Sequence, residues 1–232
     1  MAQLAIPEAV KLVSIMDHTP GQRQFTNLDS YRSFYKKKFG LSDAEMAEFE
    51  AATVERQARY AAPQRAAVVA TAQRLGLPLA SHDDAKPEHV AEAAAEGMRI
   101  AEFPTTLEAA DLSRKAGMKL LMGAPNLVRG GSHSGNIAAA DLAARGWLDI
   151  LSSDYMPVSL LQAVFLLAPT DAQLPAAVAT ATVTPAEAVG LTDRGSLTPG
   201  KRADLLRVHL HRAGDMALPI VEGVWRAGRR VA

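Results

Sequence analysis

The chain has 232 residues, of which 25 are basic and 25 acidic, and it contains no cysteine. Zero net charge provides no global field for nucleic acid or a membrane surface, so neither is expected as a partner. The absence of thiols excludes disulfides and thiolate metal sites and fits a reducing, cytoplasmic address. With 48% hydrophobic and 22% charged residues, it reads as a globular protein of one large domain or two small ones.

No apolar stretch approaches the roughly 20 residues that span a bilayer. Pro7 and Glu8 interrupt the region where a signal peptide needs an unbroken apolar run. Met1 to Ala9 reads as the tail of a helix and a connection, leading into a strand over Val10–Met16 that ends in Asp17-His18. A polar loop follows, in which Pro20 and Gly21 set a turn before Gln22, Arg23 and Gln24. Tyr31, Phe34, Tyr35 and Phe39 recur at helical spacing. Ser42-Asp-Ala-Glu45 is a capping box for a second helix towards Tyr60, and Pro63 marks the first turn of a third that ends near Arg74.

From Leu77 the rhythm is regular. Strand Leu77–Ser81 ends in His82-Asp83-Asp84, helix Pro87–Glu96 follows, then strand Arg99–Phe103 with Glu102 near its end. Thr105-Thr-Leu-Glu108 is a capping box for a helix to Ala116, and strand Met118–Met122 runs into a glycine-rich segment. A helix over about Asn136–Arg145 and a strand Leu148–Ser152, followed by Asp154, complete the pattern. Strands alternating with helices imply right-handed crossovers and a parallel sheet, whose ligands bind at the carboxyl ends of the strands. The expected fold is therefore α/β, a partial β/α barrel of about five strands over residues 1–194. Helices at about Val158–Leu167 and Ala172–Ala181, and one capped by Thr184, close that part. Residues 195–232 carry short strands at Ala203–Val208, Ile220–Val224 and Arg229–Ala232, the C-terminal part of a small β domain.

His18, His82 and Asp154 each stand at such a strand end, and imidazole and carboxylate donors from separate strands suit a divalent ion such as Zn²⁺ or Mn²⁺. Asp154 could also take a proton from activated water. The bland alternative is three hydrogen-bonded core residues. Gly123 to Asn136, with Arg129, Ser132 and His133, has the composition of a phosphate-holding nest at a helix start, and equally that of a surface loop with an ordinary cap. Asp17, Asp83 and Asp84 either orient the ligands or cap the following helices. Glu102 ends a strand from which it could reach the site, with a structural ion pair the favoured reading; His89 is expected on a helix surface, and His209 and His211 as exposed strand residues.

Met16–Phe25, Leu79–Asp84, Ala101–Thr106, Met122–Asn136, Ile150–Tyr155 and Gly200–Leu205 together resemble a phosphonate-pathway branch of the amidohydrolase superfamily. The resemblance runs over essentially the whole chain. It implies a metal-dependent barrel hydrolase that cuts a small-molecule ribose triphosphate between its first and second phosphorus atoms and releases diphosphate. On that reading His18, His82 and Asp154 hold the metal, and His82 and Asp154 are catalytic. Gln22, Arg23, Arg129, Ser132, His133 and Asn136 go to the polyphosphate and ribose. Family members also carry an upstream half, so this chain is expected to be the C-terminal part, with a missing N-terminal half or a second copy as partner for its open strand edges. The rivals are an amidohydrolase acting on C–N bonds and a non-catalytic remnant or subunit.

Overall fold

The computed structural model describes residues 9–25, 27–132, 135–213 and 216–232. The chain divides into two compact units, Met1–Met118 and Lys119–Ala232.

In the first unit, strands β1 (Val13–Ile15), β2 (Leu79–His82) and β3 (Ile100–Glu102) pair in parallel, β1 with β2 and β2 with β3. Leu79, Ala80, Ser81, Ile100 and Ala101 are all buried, so these strands read as apolar runs rather than alternating patterns. Between β1 and β2 lie α1 (Leu28–Phe39) and α2 (Asp43–Arg74). Asn27 caps α1 by accepting from the Ser30 N–H at 3.0 Å, and Gly40, with φ 69°, ends it. Ser42 and Glu45 form the expected capping box of α2.

The expected break at Pro63 is absent. The 32-residue helix runs through it, giving up the hydrogen bond that the missing N–H would make. Its hold on the unit comes from side chains: Met46 packs with Phe25 and Tyr31, flanked by Tyr35, Leu41 and Phe49. Phe25 and Tyr31 meet edge to face at 5.4 Å, an arrangement that adds about 0.5–1.5 kcal/mol to area burial.

After β2, α3 (Pro87–Ala95) begins with Pro87 in its first turn, and α4 (Leu107–Lys115) follows β3. The cap of α4 is Thr106, not Thr105. The Thr106 hydroxyl accepts from the Ala109 N–H at 3.1 Å, while the Thr105 hydroxyl donates to the Asp84 carbonyl at 3.3 Å. Thr105 thus ties the end of β2 to the end of β3.

The second unit opens with β4 (Lys119–Gly123), parallel to β5 (Ile150–Ser152). The segment expected as an open glycine-rich loop contains a helix, α5 (Ala124–Arg129), with Pro125 in its first turn and Gly130, φ 78°, closing it. Helix α6 starts at Ala139 (Ala139–Ala144), three residues after the expected Asn136. Helices α7 (Ser159–Leu166), α8 (Leu174–Ala179) and α9 (Val183–Ala188) follow. A 3₁₀ turn over Asp171–Gln173 precedes α8, and Thr182, not Thr184, precedes α9. Ala124, Leu151, Ala163, Val164 and Ala177 form the core here.

The first two tail strands are longer than expected, and the third is shorter. β6 (Leu205–Ala213) pairs antiparallel with β7 (Met216–Arg226) from Leu205↔Trp225 onward, with one irregularity at Arg207/Val208. Ala227 and Gly228, with φ 50° and 78°, turn the chain into β8 (Arg229–Arg230), the backbone signature of a tight hairpin. Among the described residues no single helix is long and apolar enough to cross a membrane.

Candidate metal centre

In the first unit the carboxyl ends of β2 and β3 stand side by side, with His82 and Glu102 directly paired in the parallel register. The loop after β1 brings His18 to the same place. His18 Nε2 lies 3.1 Å and His82 Nε2 3.4 Å from Asp83 Oδ2. Ligand atoms from the three residues all fall within 4.8 Å of one another. Two of the three sequence-expected ligands are therefore present in the described cluster. Asp83, expected only as a supporting group or cap, supplies the third donor.

The backbone explains Asp83. Consecutive residues of a strand point to opposite faces, which would turn Asp83 away from His82. Asp83 instead adopts φ 56°, a left-handed conformation that aspartate tolerates better than most residues. Its N–H donates to the Glu102 carbonyl at 2.9 Å, which holds the kink. Phe103 repeats the device after β3 with φ 55°, and its ring meets His82 edge-on at 5.2 Å. Such strain in a bulky residue persists only where neighbours enforce it, and it gathers at functional sites.

Glu102 fixes the His82 ring. Its carboxylate receives Nδ1–H of His82 at 2.8 Å and the Ser14 hydroxyl from β1. Burial pushes the Glu102 carboxyl up, but the hydrogen bonds from His82 and Ser14 win and hold it below the ordinary glutamate value. An ionised carboxylate only accepts, so it requires the His82 proton on Nδ1 and leaves the Nε2 lone pair facing Asp83. A nitrogen lone pair and a carboxylate oxygen converging in this way need a cation or proton between them. The donor set, two imidazole nitrogens and a carboxylate oxygen with a carboxylate behind one histidine, fits a borderline divalent ion.

The loop that carries His18 is braced. Asp17 accepts from the Thr19 N–H at 2.9 Å and from Gln57 of α2 at 3.2 Å. Burial opposes its charge, but these bonds and nearby Arg23 keep its carboxyl below the usual range. Asp17 therefore supports the loop instead of donating to the cluster. Arg23 is 5% exposed, and its terminal nitrogens reach Asp84, Glu92 and the His82 carbonyl. It is not the open cation expected from the sequence. Gln22 and Gln24 on either side are half-buried. His89 is half-buried too, its Nδ1 accepting from the Ala85 N–H at 3.2 Å; burial, then Arg23, pushes its pKa down. His209 and His211 are exposed on β6, as expected.

Asp154 belongs to the second unit, exposed beyond the end of β5 with φ 50°. Gly123 makes room for it: a Cβ at that position would lie 2.8 Å from Asp154 Oδ2. In the same unit Arg129 is exposed, and its guanidinium donates to the Tyr155 hydroxyl at 3.3 Å. Ser132 and Asn136 are half-buried, and His133 lies outside the described residues. At the expected anion-binding helix start, one N–H is already taken. Asn126 Oδ1 accepts the Ala139 N–H at 2.9 Å, and its amide nitrogen donates to the Ile137 carbonyl at 3.4 Å.

The family model described as Amidohydrolase family matches residues 35–231. The chain belongs to the amidohydrolase family. Its partial β/α architecture is that of an amidohydrolase domain. The chain is 52% identical over 227 residues to the alpha-D-ribose 1-methylphosphonate 5-triphosphate diphosphatase of Escherichia coli K12, covering 97% of this chain and 59% of that enzyme. A shorter likeness, 46% over 61 residues, links it to the imidazolonepropionase of Deinococcus deserti, covering 25% of this chain and 15% of that protein. A crystal structure of an uncharacterised protein superposes with a TM-score of 0.50 at 21% identity, over 71% of this chain and 48% of that one. That last likeness bears on the fold alone.

The sequence reading weighed Glu102 and Asp83 as possible supports but made neither a part of the site. Glu102 could have been found by aligning the ends of β2 and β3, which places it opposite His82. Asp83 had no local signal, because strand alternation argues against it.

Proposed function

We propose that this chain carries the metal centre of a hydrolase that cleaves α-D-ribose 1-methylphosphonate 5-triphosphate to the 5-phosphate and diphosphate. The observation that carries the reading is the convergence of His18, His82 and Asp83, with Glu102 behind His82, in a chain so similar to that diphosphatase. A divalent cation held by these three residues would act as a Lewis acid towards a phosphoryl oxygen and lower the pKa of water.

The chain's own residues supply the rest. Glu102 holds the proton on His82 Nδ1 and turns the Nε2 lone pair towards Asp83, the side from which it would ligate. Asp154 is assigned, from its strand-end position and family pattern, both as a further ligand and as the base that takes a proton from the attacking water. Water adds to the first phosphorus, the bond from its bridging oxygen to that phosphorus breaks, and diphosphate leaves. Gln22, Arg129, Ser132, His133 and Asn136 are assigned to the polyphosphate and ribose, where donors stabilise charge on the departing group. Arg23, buried and paired, is not assigned there. The chain spans 59% of the E. coli enzyme's length, and the remaining strands of the site are proposed to come from an upstream segment or a second copy.

The test is incubation of the 232-residue chain with the triphosphate and Mn²⁺ or Zn²⁺, following diphosphate by phosphorus NMR. The expected result is release that is lost in His82→Ala, either by the chain alone or after the upstream segment of the E. coli enzyme is added. No release in either setting overturns the assignment. Hydrolysis of a C–N substrate with no diphosphate formed would move the protein to another branch of the family.

A further inference from the structure

We infer that Arg23 is a positioning residue that sets the distance between the metal-donor loop and the metal-donor strand end, instead of a contact to the substrate's phosphates. The inference rests on the metal-centre reading of His18, His82 and Asp83.

Arg23 sits five residues after His18, inside a short 3₁₀ turn over Arg23–Phe25. The turn is closed by the Gly21 N–H on the Phe25 carbonyl at 3.0 Å and the Phe25 N–H on the Gln22 carbonyl at 2.8 Å. Phe25, at 5% exposure, anchors it in the aromatic cluster of α1 and α2. Within this frame the guanidinium points inward. One terminal nitrogen pairs with Asp84 Oδ1 and reaches the His82 carbonyl at 3.4 Å; the other donates to Glu92 at 3.0 Å. A phosphate-binding arginine needs a solvent-facing fork, and 5% exposure leaves none.

The carboxylate it meets is deeply buried. Asp84 is 1% exposed, and its Oδ2 has no hydrogen-bond partner among the described residues. A buried carboxylate left without its cation is strongly unfavourable, so the pair locks once formed. The lock joins the two halves of the donor set, because Arg23 shares a loop with His18 while Asp84 directly follows His82 and Asp83. A second tier holds the first: Arg65 on α2 reaches Glu92 at 3.1 Å and Glu96 at 2.7 Å. The backbone of Arg23, at φ 38°, is left-handed for a residue with no local reason to prefer it, which marks a conformation imposed by its contacts.

The experiment measures Zn²⁺ affinity of the full 232-residue chain by competition with a chromophoric chelator, and binding of inorganic tripolyphosphate to the Zn²⁺-loaded protein by calorimetry. In Arg23→Lys the charge stays beside Asp84 but the fork is lost. Zn²⁺ affinity is expected to fall about tenfold or more, the scale seen when supports of metal ligands are removed. Tripolyphosphate affinity of the saturated protein should change less than about twofold, by the same additivity of independent sites that governs stability. Unchanged Zn²⁺ affinity with weakened tripolyphosphate binding overturns the inference and restores Arg23 to the substrate. Glu92→Gln loosens Arg23 from its half-exposed side without baring Asp84, and is expected to weaken Zn²⁺ binding by a smaller factor. Should Arg23→Lys not fold, wild-type Zn²⁺ affinity in Glu92→Gln overturns the inference. Absence of Zn²⁺ binding by the wild-type chain overturns the metal-centre reading and the inference together, a result distinct from either variant outcome.

Discussion

Two segments of this chain invite a functional reading on composition, His82-Asp83-Asp84 in the first unit and the glycine-rich run 123–136 in the second, and the structure treats them differently. At the end of β2 three successive side chains are each paired: His82 with Glu102, Asp83 with His18, Asp84 with Arg23. In the glycine-rich run Asn126 and Gly130 serve the backbone, Asn126 accepting the Ala139 N–H and Gly130 closing α5, while Arg129 reaches the Tyr155 hydroxyl. Side chains that support one another around a common point make a site. Glycines and amides that satisfy a helix end make a fold.

That contrast can be broken or sharpened by substitution. The largest effect is expected at Glu102. Glu102→Gln replaces an acceptor-only group by one that can also donate, so the His82 proton is no longer confined to Nδ1. Metal affinity should fall about 10- to 100-fold, read by chelator competition, with the His82 tautomer followed by ¹⁵N NMR. An unchanged affinity would reduce Glu102 to an ordinary ion pair.

Gly123→Ala comes next. Its Cβ would press on the Asp154 carboxylate, 2.8 Å from Oδ2 and 3.3 Å from Asp154 Cβ, so the carboxylate must move. If Asp154 is the base, turnover should fall about tenfold or more, given that a 1 Å misplacement can cost about 10². Phosphorus NMR rates decide it, and full activity would remove Asp154 from the chemistry.

Asn126→Ala should leave turnover nearly intact and lower stability by about 1 kcal/mol, the usual cost of losing a helix cap. Chemical denaturation measures it. A loss of tripolyphosphate binding instead would add Asn126 to the groups that hold the ligand. The smallest effect lies in the α2 capping box. The Ser42 hydroxyl and N–H hold the Glu45 carboxyl below its ordinary value of 4.5. A depressed folded value means the stabilisation is complete at neutral pH, begins to fade below 4.5 and is gone once pH has fallen through the folded value. The difference in thermal midpoint between wild type and Glu45→Ala should accordingly shrink on acidification.

Much of the architecture was legible because buried parallel strands leave short apolar runs, and His18 and His82 stand out as the polar residues at which such runs stop. The turn to Asp83 was not legible, since the left-handed backbone that brings it round is fixed by a hydrogen bond to another strand. The inward turn of Arg23 was not legible for a related reason. A loop with two glutamines and an arginine has the composition of a ligand loop, and only the arrival of Asp84 and Glu92 from β2 and α3 turns its cation inward. Pro63 shows the limit of local rules: tertiary support on both sides carried the helix through a residue that would end an isolated one.

Helix α2 touches the surroundings of the proposed metal donors at two posts, Gln57 on Asp17 and Arg65 on Glu96, which are offset by eight positions in the chain. At about 1.5 Å and 100° per residue, those posts stand about 12 Å apart at a fixed angular offset. Removing or adding one residue between them would swing one post about 100° around the axis, while a change of seven residues, close to two whole turns, would restore the angle at the wrong height. This stretch of an otherwise solvent-facing helix is therefore a ruler, and length drift within it should be far less tolerated than substitution.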